Sequence, residues 1–191
     1  MNKSELRQLY LEQRASLTVS AVSEMSLQIS NRFFEKIDLK GINALHAFIS
    51  IRKFNEVGTS VIYEKIWRDL PYIITAAPRS DVARGEIESV VFDRRTDWRE
   101  NRWGIREPLG TELIDPQDID IVIVPLLCFD KRGHRVGYGK GFYDRFLAKC
   151  RQNCLKVGLS FFPPLEMITD TSETDVPLDI FITPNEIYFP D

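Results

Sequence analysis

The chain has 191 residues, with 25 Lys and Arg against 28 Asp and Glu, a net charge of −3, and 43% hydrophobic residues. That length and composition predict one soluble globular domain over residues 1–191, too short for a second full-sized one. The near-balanced charge argues against a surface that coats nucleic acid or anionic lipid, so any polyanionic ligand should be small.

The opening MNKSELRQLYLEQRASL carries charges every few residues and no apolar core, so it reads as a mature amino terminus and not an export signal. The longest apolar stretch, Ile121 to Phe129, is interrupted by Pro125 and is about half of the ~20 residues a membrane span requires. Three cysteines, an odd number, fit reduced thiols. Together these features predict a cytoplasmic protein, a monomer acting on small molecules without nucleic-acid or membrane partners. Cys150 and Cys154 could form half a metal site, but no second cysteine pair accompanies them and the histidines are only His46 and His134.

In chain order, helical periodicity marks Lys3 to Leu17 and Ala21 to Lys36, the first with Leu6 and Tyr10 inward, the second with Met25, Ile29 and Phe33. A short β-rich run, Ala44 to Ile51, precedes a helical segment from Thr59 to Leu70. Strands are then predicted at Tyr72 to Ala76, ending before Pro78, at Ile87 to Phe92, and at Ile121 to Val124, the last apolar enough to be buried on both faces. A polar loop, a helix from Phe142 to Arg151, and strands at Lys156 to Leu159 and Ile180 to Thr183 complete the pattern. Such alternation predicts an α/β three-layer sandwich with a mostly parallel central sheet, Rossmann-like. In those sheets ligands bind beyond the carboxyl ends of strands, which directs attention to the loop after Val124.

Between Phe129 and Asp144 the chain packs Gly133, Gly137, Gly139 and Gly141 with Arg132, Arg135 and Lys140. Glycines allow positive φ and leave amide groups uncovered, a following helix adds positive potential, and the cations neutralise phosphate oxygens. The segment reads as a phosphate cradle; the competing reading is a solvated glycine-rich hairpin. It is not a Walker loop, because Lys140 is followed by Gly141 and not by Ser or Thr. Nor is it a dinucleotide fingerprint, because the third glycine comes one residue early.

Asp144 falls in the first turn of the predicted helix, where a carboxylate serves either the helix dipole or a Mg²⁺ ion shared with phosphate oxygens. Tyr138, Phe142 and Tyr143 could stack on a flat heterocycle, although Phe142 also continues a core stripe with Phe146 and Cys150. Lys3, Arg7 and Arg14 lie within about 40° of each other on the first helix, one basic line that by itself reads as a wet face. Glu56 sits where a ligand above the strand ends would be met. On residues alone, a phospho-sugar or nucleotide isomerase and a nucleotide-sensing module both remain open.

Several ordered blocks carry a resemblance: VPLLCFDKRGHRVGYGKGFYDRFL from Val124 to Leu147, the opening Lys3-Ser-Glu-Leu-Arg7, Asn55-Glu-Val-Gly-Thr59, Trp103-Gly-Ile-Arg-Glu-Pro108 and Asp175-Val-Pro-Leu-Asp179. Nearly end to end, the chain resembles the 5-formyltetrahydrofolate cyclo-ligases, also called 5,10-methenyltetrahydrofolate synthetases. Phe142 stands where that family often has Tyr, and Val57 to Thr59 follow Glu56 where an acidic residue often precedes the Thr.

The resemblance implies an ATP- and Mg²⁺-dependent cyclisation of 5-formyltetrahydrofolate, through phosphorylation of the formyl oxygen and attack by N10. It implies ATP contacts at Lys3, Ser4, Glu5, Leu6 and Arg7, and at Arg135, Val136, Gly137, Tyr138, Gly139, Lys140, Gly141, Phe142 and Tyr143. Lys140 and Arg135 would act on the transferred group, and Asp144 and Asp175 would hold Mg²⁺. Ile51, Glu56, Trp103, Tyr138, Gly139, Lys140, Gly141 and Phe142 would contact the folate.

Overall fold

The computed structural model describes residues 1–81, 83–101 and 104–190. Among the described residues four α-helices, α1 (Lys3–Ala15), α2 (Val19–Lys36), α3 (Ser60–Asp69) and α4 (Phe142–Leu147), accompany an eight-stranded sheet. The sheet runs from one edge through β12 (Ile187–Tyr188), β11 (Ile180–Ile182), β10 (Leu155–Leu159), β7 (Ile121–Val124), β1 (Ala44–Ala47), β2 (Ile74–Asp81) and β3 (Glu86–Val91) to β6 (Leu113–Ile114). The five strands from β11 to β2 are parallel, and antiparallel β12, β3 and β6 finish the edges. Two hairpins stand outside it: β4 (Trp98–Glu100) with β5 (Arg106–Pro108), and β8 (Cys128–Phe129) with β9 (Arg135–Val136).

β7 is buried on both faces, as its run of branched apolar residues requires. Ile121 and Ile123 join Leu45, Ile29, Phe33, Ile62 and Ile66 in the core beneath α2 and α3. Val122 and Val124 face the opposite layer, with Phe146 and Leu147 of α4. This alternation about one central strand makes the three layers.

The structure moves several predicted boundaries. The first strand stops at Ala47 instead of Ile51, and the chain bends into a 3₁₀ turn at Arg52–Phe54. β2 continues past Pro78 to Asp81, because its parallel pairing with β1 ends at Ala76 and leaves Pro78 with only β3 as a partner. The helix after the glycine loop spans six residues, Phe142–Leu147, and not ten. The segment expected as one polar loop is split by the β8–β9 hairpin, whose turn is tied by Asp130 Oδ1 accepting from the amides of Arg132 and His134.

β1 lies between β2 and β7, so consecutive parallel strands depart to opposite sides at the β1–β7 boundary. Such a switch point opens a crevice at the strands' carboxyl ends.

Candidate active site

The crevice is a cleft of about 1440 Å³. Its floor comes from Phe48 and Ile49 after β1, Pro125 after β7 and Pro78 of β2. One wall is the glycine loop, a second is the turn with Ile51, Phe54 and Glu56, and Glu100, Gly104 and Ile105 of the β4–β5 hairpin cover it. Buried Glu107 fastens that hairpin, its Oε1 accepting from the Ser80 amide of β2 at 3.0 Å. Pockets for a single drug-sized ligand measure roughly 300–1,000 Å³, so the cleft has room for two.

The amino-terminal helix reaches the cleft because Leu6 and Tyr10 bury themselves against Leu127, Cys128 and Val136 of the β8–β9 hairpin. Docked in this way, α1 aims Lys3 and Arg7 into the cleft. Arg7 Nε donates to the Gly137 carbonyl at 2.9 Å, and its guanidinium lies against Gly139, where a Cβ would come within 3.0 Å of Cζ. Gly139 also has φ +87°, a left-handed conformation that favours glycine, and a side chain there would displace the Arg7 guanidinium. Gly141, at φ +65°, caps α4, and Arg145 ties the loop down by donating to the Lys140 carbonyl at 3.0 Å and the Gly85 carbonyl at 2.8 Å.

A helix as short as α4 contributes little dipole. Positive potential at the loop therefore comes from side chains, among them Lys3, Arg7, Arg135 and Lys140, all on the cleft lining. Arg135 is buried, with Nη2 donating to Asp144 Oδ1 at 2.8 Å and Nη1 to the Val176 carbonyl at 2.8 Å. It fastens the 173–176 loop to the glycine loop while keeping its charge at the cleft.

Asp144 and Asp175 both line the cleft. Asp144 Oδ1 accepts from Arg135 and from the Val176 amide, and Asp175 Oδ2 accepts from Lys3 Nζ and the Ser172 amide. Burial pushes the Asp175 carboxyl up, but those donors outweigh it and hold it below the ordinary carboxylate range. Each aspartate keeps a second oxygen that makes no hydrogen bond among the described residues. Two hard oxygen donors beside a phosphate-sized cradle fit Mg²⁺, which keeps water and phosphate in most of its shell. Among the described residues no group of three or more His, Cys, Asp or Glu could enclose a metal, so no all-protein cage is formed there.

Across the cleft, Glu56 is 5% exposed. Its Oε1 accepts from the Tyr138 hydroxyl at 2.6 Å and its Oε2 from the Ile51 amide at 2.7 Å. Burial pushes this carboxyl above its ordinary value, opposed by those two hydrogen bonds and the charge of Arg14. Tyr143 also lines the cleft, and burial pushes its phenol well above the ordinary range. Its hydroxyl lies 3.5 Å from His46 Nε2, whose Nδ1 meets Ser89 Oγ at 2.7 Å.

The structure thus gathers Lys3, Arg7, Ile51, Glu56, Arg135, Gly137 to Asp144 and Asp175 at one cleft. It does not bring Ser4, Glu5, Leu6 or Val136 to the cleft surface. The Glu5 carboxylate is engaged with Asn2 in a capping box, Leu6 and Val136 are buried in the core under α1, and Ser4 is exposed outside the cleft. Gly133 of the supposed cradle belongs to the hairpin turn, packed on Leu178 and Pro190. Trp103 lies outside the described residues. Sequence reasoning missed Arg145, although it directly follows Asp144, and His46, whose signal was a polar residue inside an otherwise apolar strand.

Residues 1–184 match the pattern of the 5-formyltetrahydrofolate cyclo-ligase family. The chain belongs to that family of enzymes. It is 25% identical to a probable 5-formyltetrahydrofolate cyclo-ligase of Schizosaccharomyces pombe over 98% of this chain and 97% of that one. The 5-formyltetrahydrofolate cyclo-ligase of Escherichia coli is 27% identical over 93% of this chain and 97% of its own. In three dimensions it resembles the 5,10-methenyltetrahydrofolate synthetase of Aquifex aeolicus, with TM-score 0.84 and 26% identity over 99% of this chain and 93% of that structure.

Proposed function

We propose that this cyclo-ligase converts 5-formyltetrahydrofolate to 5,10-methenyltetrahydrofolate at the cleft described above, consuming ATP with Mg²⁺ and releasing ADP and phosphate. The observation that carries the reading is one cleft, large enough for two ligands, with a cationic glycine loop on one wall and the buried Glu56 carboxylate on another. The first suits a triphosphate; the second suits the amino and ring N–H donors of a pterin.

An N-formyl oxygen is a poor leaving group. Transfer of the γ-phosphoryl group of ATP to it gives an iminium phosphate and ADP. N10 then attacks the former formyl carbon, phosphate departs with the oxygen, and N10 loses its proton as the five-membered ring closes. Protein groups position the reactants and stabilise charge in this scheme. Lys140, on the loop between Gly139 and Gly141, neutralises the phosphoryl group in flight; Lys3 and Arg7 hold the nucleotide against the loop. Arg135 supports that wall and adds its charge. Asp144 and Asp175 would hold Mg²⁺, which when bound shields the phosphate oxygens. Glu56 and Ile51 orient the pterin, with Phe142 offering a ring face.

The same reading keeps the protein a cytosolic monomer acting on small molecules. Among the described residues no helix is long and apolar enough to cross a membrane.

The test uses 5-formyltetrahydrofolate carrying ¹⁸O in the formyl group, incubated with the protein, ATP and Mg²⁺. The methenyl chromophore should appear in step with ADP, and the released phosphate should carry one ¹⁸O. Phosphate without label, or chromophore without ADP, would contradict the mechanism.

A further inference from the structure

Arg14 stands two turns beyond Arg7 on α1, yet it does not line the cleft. It is 4% exposed, and its Nε has no hydrogen-bond partner among the described residues. A buried guanidinium with an unmet donor is costly, and an apolar side chain could fill the same space. Its Nη1 reaches the Leu126 carbonyl only at 3.5 Å, while Nη2 donates to the Tyr138 hydroxyl at 2.6 Å, with Cζ 5.7 Å from that ring's centroid. The same hydroxyl reaches Glu56 Oε1 at 2.6 Å.

Hydrogen-bond inventory fixes the direction of this chain. Arginine has donors and no acceptor, so the phenol oxygen accepts from Arg14, and its single proton goes to Glu56 Oε1 when that carboxyl is ionised. Glu56 Oε1 is therefore an acceptor. Oε2 is one as well, because the Ile51 N–H donates to it. With both oxygens accepting from the protein, the carboxylate presents only its remaining lone pairs to the cleft. The local backbone is held to the same helix: Asn55, at φ 46°, donates from Nδ2 to the carbonyls of Arg14 and Leu17.

We propose that Arg14 is a positioning residue for the cyclo-ligase reaction: through the Tyr138 hydroxyl it fixes the orientation of Glu56 and holds it as an ionised, accepting carboxylate toward the folate. The proposal rests on the reading of Glu56 as the pterin-binding group. Among the described residues, the titratable or charged groups that act on Glu56 are the phenols of Tyr138 and Tyr143 and the guanidinium of Arg14. Arg14 is the one cation among them, and it opposes the burial that favours the neutral carboxyl. Removing it should let burial prevail.

The test is the pH profile of kcat/KM for 5-formyltetrahydrofolate at saturating ATP, for the parent and for Arg14→Met, Arg14→Lys, Tyr138→Phe and Glu56→Gln. Relative to each variant's own plateau, the acid limb should move up by about one pH unit in Arg14→Met and in Tyr138→Phe, about a tenfold loss on the acid side. Combining the two should move it no further, because they act in series. Arg14→Lys, which keeps a cation, should bring the limb back toward the parent's.

Tyr138→Phe retains the ring, so it carries the test should Arg14→Met fail to fold. Glu56→Gln should raise KM for the folate and abolish the limb. An unmoved limb in both Arg14→Met and Tyr138→Phe, with the KM effect of Glu56→Gln intact, overturns the proposal alone. An unchanged KM in Glu56→Gln removes the folate reading of Glu56 and the proposal with it.

Discussion

Lys140 is exposed on the lip of the cleft, between Gly139 and Gly141, both at positive φ. Truncating it should therefore separate charge from fold. Lys140→Ala is expected to lower kcat by at least about tenfold, as loss of a charge-stabilising donor does, with an unchanged thermal melt. Near-parent turnover in a steady-state assay would take the transferred group away from Lys140. Asp144 allows a second substitution of this kind, since an asparagine keeps an Oδ1 able to accept from Arg135 and the Val176 amide. Asp144→Asn should preserve the fold and raise the Mg²⁺ concentration giving half-maximal activity; a titration matching the parent's would remove Asp144 from the metal site. Both positions could be singled out in the sequence, the lysine by its place among glycines and the aspartate, open between helix dipole and metal, by its place at a helix start. Arg14 was visible only as part of a basic line. Its burial, and its bond to a residue 124 positions away, depend on how α1 docks and leave no local trace.

At the scale of elements, helices and parallel strands were readable because their periodicity comes from burial on one side or both. The short pairs were not. β4–β5 has three residues a strand and β8–β9 two, too few to display a period, and their pairing is decided by tertiary contacts. These hairpins nonetheless shape the site, one covering the cleft and the other docking α1. Close packing between elements is also concentrated at single positions. On β10, a Cβ at Gly158 would meet Phe181 Cδ1 at 2.5 Å and Leu126 Cδ2 at 2.7 Å. Phe181 cannot yield, since its ring is stacked on Phe129 with centroids 4.1 Å apart. Gly158→Ala should cost about 1–3 kcal/mol of stability through overpacking. Urea unfolding would measure it, and a midpoint within error of the parent's would show the core more accommodating than this packing implies.

For the whole molecule, the parallel sheet brings segments from its first helix, its central loops and the 173–176 loop to a single crevice at the switch point. The α/β alternation of such a sheet was legible in the sequence; the strand order, with β1 and β7 as neighbours, comes only from the pairing. Among the titratable groups buried under the crevice is His46, fully buried on β1 and pushed down by burial to about 3. An unfolded histidine binds a proton near pH 6.5. Because the folded pKa is the lower one, the contribution is fully present above that pH and is lost as pH falls through it toward 3. Between pH 6.5 and 5, His46 should add a slope approaching about 1.4 kcal/mol per pH unit to the free energy of unfolding. Chemical denaturation across that range should resolve it, and His46→Gln should flatten it; an equal slope in the variant would assign the proton elsewhere.

The central claim is that the wall from Arg135 to Tyr143, backed by Lys3 and Arg7, grips a triphosphate whose terminal group faces a folate held at Glu56. A crystal structure with a non-hydrolysable ATP analogue, Mg²⁺ and 5-formyltetrahydrofolate measures this directly. The phosphates should lie within hydrogen-bonding distance of the Gly137 to Gly141 amides and the Lys140 ammonium, with the formyl oxygen in line with the γ-phosphorus. A nucleotide lodged away from that loop, or a pterin out of reach of Glu56, would contradict the account.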